Sequence, residues 1–220
     1  MKIALLGYGK MGKAIERLAR ARGHEVVLIV DENNRATCTD DQLKQADVAI
    51  EFTTPVVAVD NYNWCFRNHV PVVSGTTGWL ERWDEVMMSR EQLGGGFFYA
   101  SNYSIGVNIF FHLNRWLART MARFADYKVS VEETHHIHKL DAPSGTALTL
   151  AKDILKEHPE YTSWVLDEGK VEAGELPVKA KREGEVPGIH SVTYKSGVDE
   201  IQIYHSAYSR DGFAQGAVMA

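Results

Sequence analysis

Residues 132–148 read EETHHIHKLDAPSGTAL. Three histidines in four positions, a lysine and a Pro-Ser-Gly-Thr run offer three chemistries: metal ligation, proton transfer and anion binding. A strand-like run precedes the histidines, and along a strand only alternate side chains share a face. His136 and His138 can then meet one ion, His135 cannot easily join them, and no HExxH spacing is present, so no metal is expected. Proton transfer uses the parts differently. A histidine titrates near neutrality and delivers a proton, while a lysine supplies fixed positive charge or a second donor. The DAPSGTAL stretch begins a helix with Pro143 in its first turn. Residues 143–146 then present unpaired backbone N–H groups, the hydroxyls of Ser144 and Thr146 and the positive end of the helix dipole. A carboxylate receptor beside a proton donor suits reduction of an anionic C=C or C=N substrate by hydride.

A second chemical feature lies near the N-terminus. GYGKMG places Gly7, Gly9 and Gly12 in GxGxxG spacing, directly after an apolar strand and at the opening of an amphipathic helix. Those glycines permit a tight turn, approach of backbone to a pyrophosphate and close helix–strand packing. Asp31 ends the second apolar run, where it accepts from a ribose hydroxyl and, with Glu32, repels a 2′-phosphate. NADH is therefore favoured, while Arg35 leaves room for NADPH. The SGTTGW stretch follows the fourth apolar strand, so Gly75, Thr76 and Thr77 reach the nicotinamide half, and Glu51, Phe52 and Thr53 end the preceding strand at the same edge.

The elements that must position these residues follow from periodicity. Through residue 100, fully apolar runs (KIALLG, EVVLIV, DVAIEF, VPVVSG) alternate with helix-period segments, the pattern of a parallel sheet covered on both faces. Met11, Ala14, Ile15 and Leu18 recur at helical spacing and pack the first helix on that sheet. A long helix from about Gly106 then leads into β-rich sequence, which predicts an α+β domain with an open mixed or antiparallel sheet. The expected class is α/β: an N-terminal Rossmann-type doubly wound parallel sheet over 1–103, to which 211–220 return, and a C-terminal α+β domain over 104–210. The polar stretch 156–190 reads as a long loop interrupted by short strands.

Composition narrows the function. The chain has 220 residues, and a formal net charge of -5 with scattered Lys and Arg gives no footprint for nucleic acid. No apolar run approaches the roughly 18 residues a membrane span needs, and no signal peptide is evident. Its two cysteines, Cys38 and Cys65, form neither a disulfide framework nor a zinc pattern, which fits a reducing cytoplasm.

Together GYGKMG, EFTTP, SGTTGW, ASNYSIGVN, EETHHIHKLDAPSGTAL and FAQGA resemble, in order, the motifs of bacterial dihydrodipicolinate reductases. The resemblance spans residues 1–220, and its HHxxKxDAPSGTA segment is the specific part. It implies a two-domain homotetramer that reduces 4-hydroxy-tetrahydrodipicolinate, a cyclic dicarboxylate, to tetrahydrodipicolinate with NADH or NADPH on the diaminopimelate route to lysine. It further implies that His135 is the proton donor, that Lys139 is a second catalytic donor, and that His136, with Ser144, Gly145 and Thr146, holds the substrate carboxylates. Gly7, Tyr8, Gly9, Lys10, Met11, Gly12, Asp31, Gly75, Thr76, Thr77, Ala100, Ser101, Asn102 and Tyr103 would line the cofactor, with Asn102 near the carboxamide at an interdomain hinge. Two departures stand out: EFT replaces the more usual Asp-Phe-Thr, and the stretch from Asp31 to Glu51 lacks a helix and strand common in the family. The alternatives are another two-domain NAD(P)-dependent amino-acid dehydrogenase and a non-catalytic NADH-binding redox sensor; neither requires the HHxxKxDAPSGT segment.

Overall fold

The computed structural model describes all 220 residues. The chain divides into two compact units, Met1–Ile105 with Arg210–Ala220, and Gly106–Ser209.

The first unit is a parallel sheet of β1 (Lys2–Leu6), β2 (Glu25–Val30), β3 (Val48–Glu51), β4 (Val72–Ser74) and β5 (Phe97–Tyr99) in the order β2-β1-β3-β4-β5. Between the strands run α1 (Lys10–Ala21), the short α2 (Asp40–Leu43), α3 (Pro55–Arg67) and α4 (Trp83–Leu93). Alternation along β1 explains the two layers. Ala4 and Leu6 join a core with Val30, Val72 and the α3 residues Tyr62, Trp64 and Phe66, while Ile3 and Leu5 face Ile15 and Ala19 of α1. The full dinucleotide fold has strand order 3-2-1-4-5-6, with a further strand outside β2. Here only a 3-10 turn (Arg35–Thr37) and the four-residue α2 join β2 to β3, which is why the sheet ends at β2. The order still reverses between β1 and β3, the crevice where open α/β sheets bind ligands.

The second unit contains α5 (Ile105–Met121, from its second residue), β6 (Lys128–His135), α6 (Gly145–Glu157), β7 (Ser163–Leu166), β8 (Glu175–Arg182), β9 (Gly188–Lys195) and β10 (Glu200–Ala207). Its sheet, in the order β10-β9-β6-β8-β7, is mixed: β9 pairs antiparallel with β6 and β10, while β8 pairs parallel with β6 and β7. Val129, Val131, Val178, Val192 and Tyr194 from the strands bury against Phe110, Leu117 and Met121 of α5 and Leu150 and Ile154 of α6. Asn114 donates to the Leu150 carbonyl (3.1 Å), tying the two helices together. The region expected as a long loop interrupted by short strands, over 156–190, holds β7 and the eight-residue β8, which is paired on both sides. Its charged alternate residues, Lys179 and Lys181, hid it from a search for apolar runs.

The chain ends in α7 (Asp211–Met219), which returns to the first unit, where Ala214 and Ala217 join Ile3, Leu5, Ile15 and Tyr103. A Cβ on Gly216 would lie 1.7 Å from the Tyr103 carbonyl oxygen, so only glycine permits this approach. No helix is long and apolar enough to cross a membrane.

Candidate functional site

In the first unit a cavity of about 590 Å³ opens at the carboxyl ends of β1, β2 and β3. It is lined by Gly7, Tyr8 and Gly9 after β1, residues 30–33 and Arg35 after β2, Phe52–Thr54 after β3, and Val57 and Asn61 of α3. The glycines fit a phosphate cradle. A Cβ on Gly7 would lie 2.0 Å from the Phe52 carbonyl oxygen and one on Gly12 2.2 Å from the Gly7 oxygen, whereas one on Gly9 meets nothing within 4 Å. Gly7 and Gly12 therefore close the turn, and Gly9 leaves bare backbone at the start of α1. Asp31 lines the cavity, and its Oδ1 accepts from the amides of Asn33 (2.8 Å) and Asn34 (3.1 Å), the second oxygen taking no part in these bonds. Arg35 lies 3.9 Å above the Trp64 ring, a stacking that holds the guanidinium at the cavity wall.

The remaining expected cofactor residues are placed differently. Lys10 and Met11 begin α1 and lie outside the cavity lining, with Met11 packed against the core. Gly75, Thr76 and Thr77 follow β4, where a Cβ on Gly75 would strike the Phe52 ring at 2.1 Å. The Thr76 hydroxyl, expected to be available, is already engaged: it donates to Glu51 (2.9 Å) and accepts from the Thr53 amide (2.8 Å). Glu51 is fully buried and also takes hydroxyl donors from Ser74 (2.7 Å) and Thr53. It ties together the two loops that follow β3 and β4. Ala100 and Ser101 follow β5, Asn102 Oδ1 accepts from Ser104 N (2.9 Å), and Tyr103 is a core residue whose hydroxyl donates to the Ser74 carbonyl (2.7 Å).

In the second unit strand pairing builds the chemistry. Glu133 and His135 share a face of β6, Glu133 is opposite His190 on β9, and His135 is opposite Arg182 on β8. Glu133 is fully buried, and one oxygen touches His135 Nδ1. The other accepts from both terminal nitrogens of Arg182 (3.2 Å each) and from the Ser144 amide (3.1 Å). Burial pushes the Glu133 carboxyl up, but the contacts with His135 and Ser144 outweigh it and hold the group down at about 2. The His190 ring lies edge-on to His135, 5.0 Å between centroids, with Nε2 3.2 Å from the Ser144 hydroxyl. Burial and the neighbouring His135 push His190 down to about 3, so it is neutral at pH 7.

Ser144 is the N-cap of α6, its hydroxyl accepting from Ala147 N (3.2 Å). Pro143 therefore precedes the cap rather than lying in the first turn, and neither the Ser144 amide nor its hydroxyl is unpaired. The amides of Gly145 and Thr146 occupy the first two helical positions and have no acceptor within the helix. The strand stops at His135, so the alternation expected to put His136 and His138 on one face does not reach them; they lie in a turn with ring centroids 6.2 Å apart. His136 Nδ1 is buried without a partner, and His138 lies 3.3 Å from Glu185. Lys139 Nζ is paired with Asp141 at 2.7 and 2.8 Å.

Sequence reasoning missed Glu133, Arg182 and His190. Only the first carried a signal, the two-residue spacing from His135. Glu133, His135 and His190 bring donor atoms within 4.8 Å of one another, a metal-like grouping. The guanidinium on the same carboxylate makes it a charge-compensated acid–base cluster instead.

Comparison with known proteins gives the family. Residues 1–103 match the family profile described as dihydrodipicolinate reductase, N-terminus, and residues 106–220 the profile for its C-terminus. A 4-hydroxy-tetrahydrodipicolinate reductase of Christiangramia forsetii is 48% identical over 220 residues, covering 100% of this chain and 90% of that protein. The enzyme of the same name from Staphylococcus aureus is 35% identical, covering 100% and 93%. Among solved structures, the dipicolinate-bound dihydrodipicolinate reductase of Paenisporosarcina sp. TG-14 superposes with a TM-score of 0.76 at 23% identity, covering 100% of this chain and 92% of that one, a likeness of fold.

Proposed function

Since the chain belongs to the dihydrodipicolinate reductase family, it is an NAD(P)H-dependent oxidoreductase acting on 4-hydroxy-tetrahydrodipicolinate on the diaminopimelate route to lysine, and we propose a division of labour among its residues. Bound NAD(P)H supplies the hydride. The bare backbone from Gly7 to Gly9 and the start of α1 hold the pyrophosphate, and the free oxygen of Asp31 accepts from a ribose hydroxyl. Asp31 and Glu32 favour NADH, while Arg35, fixed on Trp64, admits a 2′-phosphate. Arg35→Ala is expected to lower kcat/KM for NADPH by about tenfold or more and to leave that for NADH nearly unchanged, one charged contact being worth roughly 1.5–3 kcal/mol.

On the substrate side, the Gly145 and Thr146 amides hold one carboxylate at the start of α6, while His136 and Lys139 hold the other, Lys139 exchanging Asp141 for it. His135 gives its proton to the substrate atom left electron-rich by hydride addition. The observation that carries this reading is that Glu133 links the His135 ring directly to the capped start of α6, so that acid and carboxylate receptor form one rigid piece. The test is the fall in 340-nm absorbance, an arbitrary NAD(P)H readout, with each cofactor and freshly generated substrate. His135→Gln is expected to lower kcat by on the order of 10²-fold or more; unimpaired turnover would overturn the assignment.

Assembly into a homotetramer through the second unit's sheet is supported by its edge strand β10, eight residues long with Ile201 and Tyr204 exposed. Sedimentation equilibrium tests it, a monomer being the contrary result. Both cysteines are free, which supports a reducing cytoplasmic setting.

A further inference from the structure

Three observations bear on which nitrogen of His135 does the work. Nδ1 is in contact with the buried Glu133 carboxylate. Nε2 is the other nitrogen of the ring, and a Cβ built on Gly188 would lie 3.0 Å from it, so the glycine leaves that nitrogen clear. The carboxylate cannot turn away, because its other oxygen is held by Arg182 and the Ser144 amide, donors that have no capacity to accept.

We propose that Glu133 is a positioning residue that fixes the tautomer of His135, so that Nε2, kept clear by Gly188, is the nitrogen that delivers the proton. This rests on the assignment of His135 as the donor and adds to it the atom, the tautomer and the residue that sets them. In the step itself the Nε2–H bond breaks and its electron pair stays on the ring. The proton goes to the substrate atom that has received the hydride's electron pair through its double bond, and the ring is left neutral with Nδ1–H facing Glu133. The carboxylate faces Nδ1–H before transfer and after it, and so defines one tautomer of the neutral ring. Glu133 on β6 touches the ring and His190 on β9 lies edge-on to it, while Arg182 on β8 is paired with Glu133 and Lys139 with Asp141 in the following loop.

The arrangement predicts an unusual outcome for Glu133→Gln. The amide oxygen must face Arg182 and the Ser144 amide, since an NH₂ there would meet only donors. The NH₂ then faces His135 Nδ1 and turns it into an acceptor, which places the ring proton on Nε2 in the neutral form and disfavours the doubly protonated form. The variant keeps its volume and hydrogen bonds but loses the acid.

The test is nitrogen NMR on enzyme carrying ¹⁵N-labelled histidine, with the His135 resonances identified by their loss in His135→Gln. At a pH where the ring is neutral, the wild-type enzyme is expected to show Nδ1 protonated and Nε2 bare, and Glu133→Gln the reverse. The same variant is expected to lose kcat by on the order of 10³-fold with substrate KM changed only a few-fold, the signature of a wrong tautomer. Glu133→Asp should recover at least tenfold of that loss. A wild-type ring protonated on Nε2 when neutral, or a folded Glu133→Gln enzyme with kcat within threefold of wild type, would overturn the proposal. The wild-type measurement needs no change at residue 133, so a variant that fails to fold does not shelter it. Loss of activity in His135→Gln together with the wrong tautomer sinks this proposal alone, whereas full activity in His135→Gln sinks the underlying assignment whatever the tautomer.

Discussion

Each unit buries one glutamate at the carboxyl end of a central strand, and the two are held in opposite ways. Glu51, closing β3, is surrounded by the hydroxyls of Thr53, Ser74 and Thr76. Glu133, two residues from the end of β6, is held by a guanidinium, a backbone amide and an imidazole. A hydroxyl both gives and accepts, and turns about its C–O bond to suit its neighbour. A guanidinium and an amide N–H can only give. The first surrounding absorbs a change at the carboxylate, and the second passes it on to the His135 ring. The first glutamate organises loops, while the second, as proposed above, fixes the tautomer of the His135 ring.

The contrast can be broken most decisively by truncation. Glu133→Ala strands Arg182 beside a buried gap and is expected to destabilise the second unit by about 3–5 kcal/mol, read from the shift in urea midpoint. Glu51→Gln should cost only about 1 kcal/mol, because one hydroxyl rotates to accept from the new NH₂, and kcat should remain within a few-fold of wild type. Equal penalties at the two sites would erase the distinction between them.

Acid sharpens the comparison further. Glu133 is held at about 2 against an ordinary 4.5, so the unfolded chain binds its proton first, and stability is lost as pH falls through that window. His190 is held at about 3 against an ordinary 6.5, so the unfolded chain also takes up that proton first, and stability falls between these values. Both effects have the same sign. Urea midpoints should decline from about pH 6.5 downward, and His190→Gln should flatten the upper part of that decline.

The sequence makes the layers of the first unit readable, because two-sided apolar strands and a GxGxxG turn leave few other architectures. The shortness of the Asp31–Glu51 stretch even accounts for the absent outer strand. Within the site, His135, Lys139 and the start of α6 are legible because they are neighbours in the chain. Arg182 and His190 are not, since they arrive by pairing of β8 and β9 with β6, and register is a property of the folded sheet. The error over His136 and His138 has a plain cause: alternation holds only while the strand continues, and it stops at His135. The same rule applied two residues earlier would have joined Glu133 to His135.

The return of α7 to the first unit bears on how the protein is made. Ala214 and Ala217 complete the core around Tyr103, and Gly216 fits directly over that residue's carbonyl. The unit that leaves the ribosome first is therefore the one that must wait longest for its last piece, and the intervening unit is finished before it. Vectorial synthesis ordinarily lets a leading domain fold ahead of those made after it. Here the second unit has its full complement of strands first, and the first unit closes only when Arg210–Ala220 have emerged.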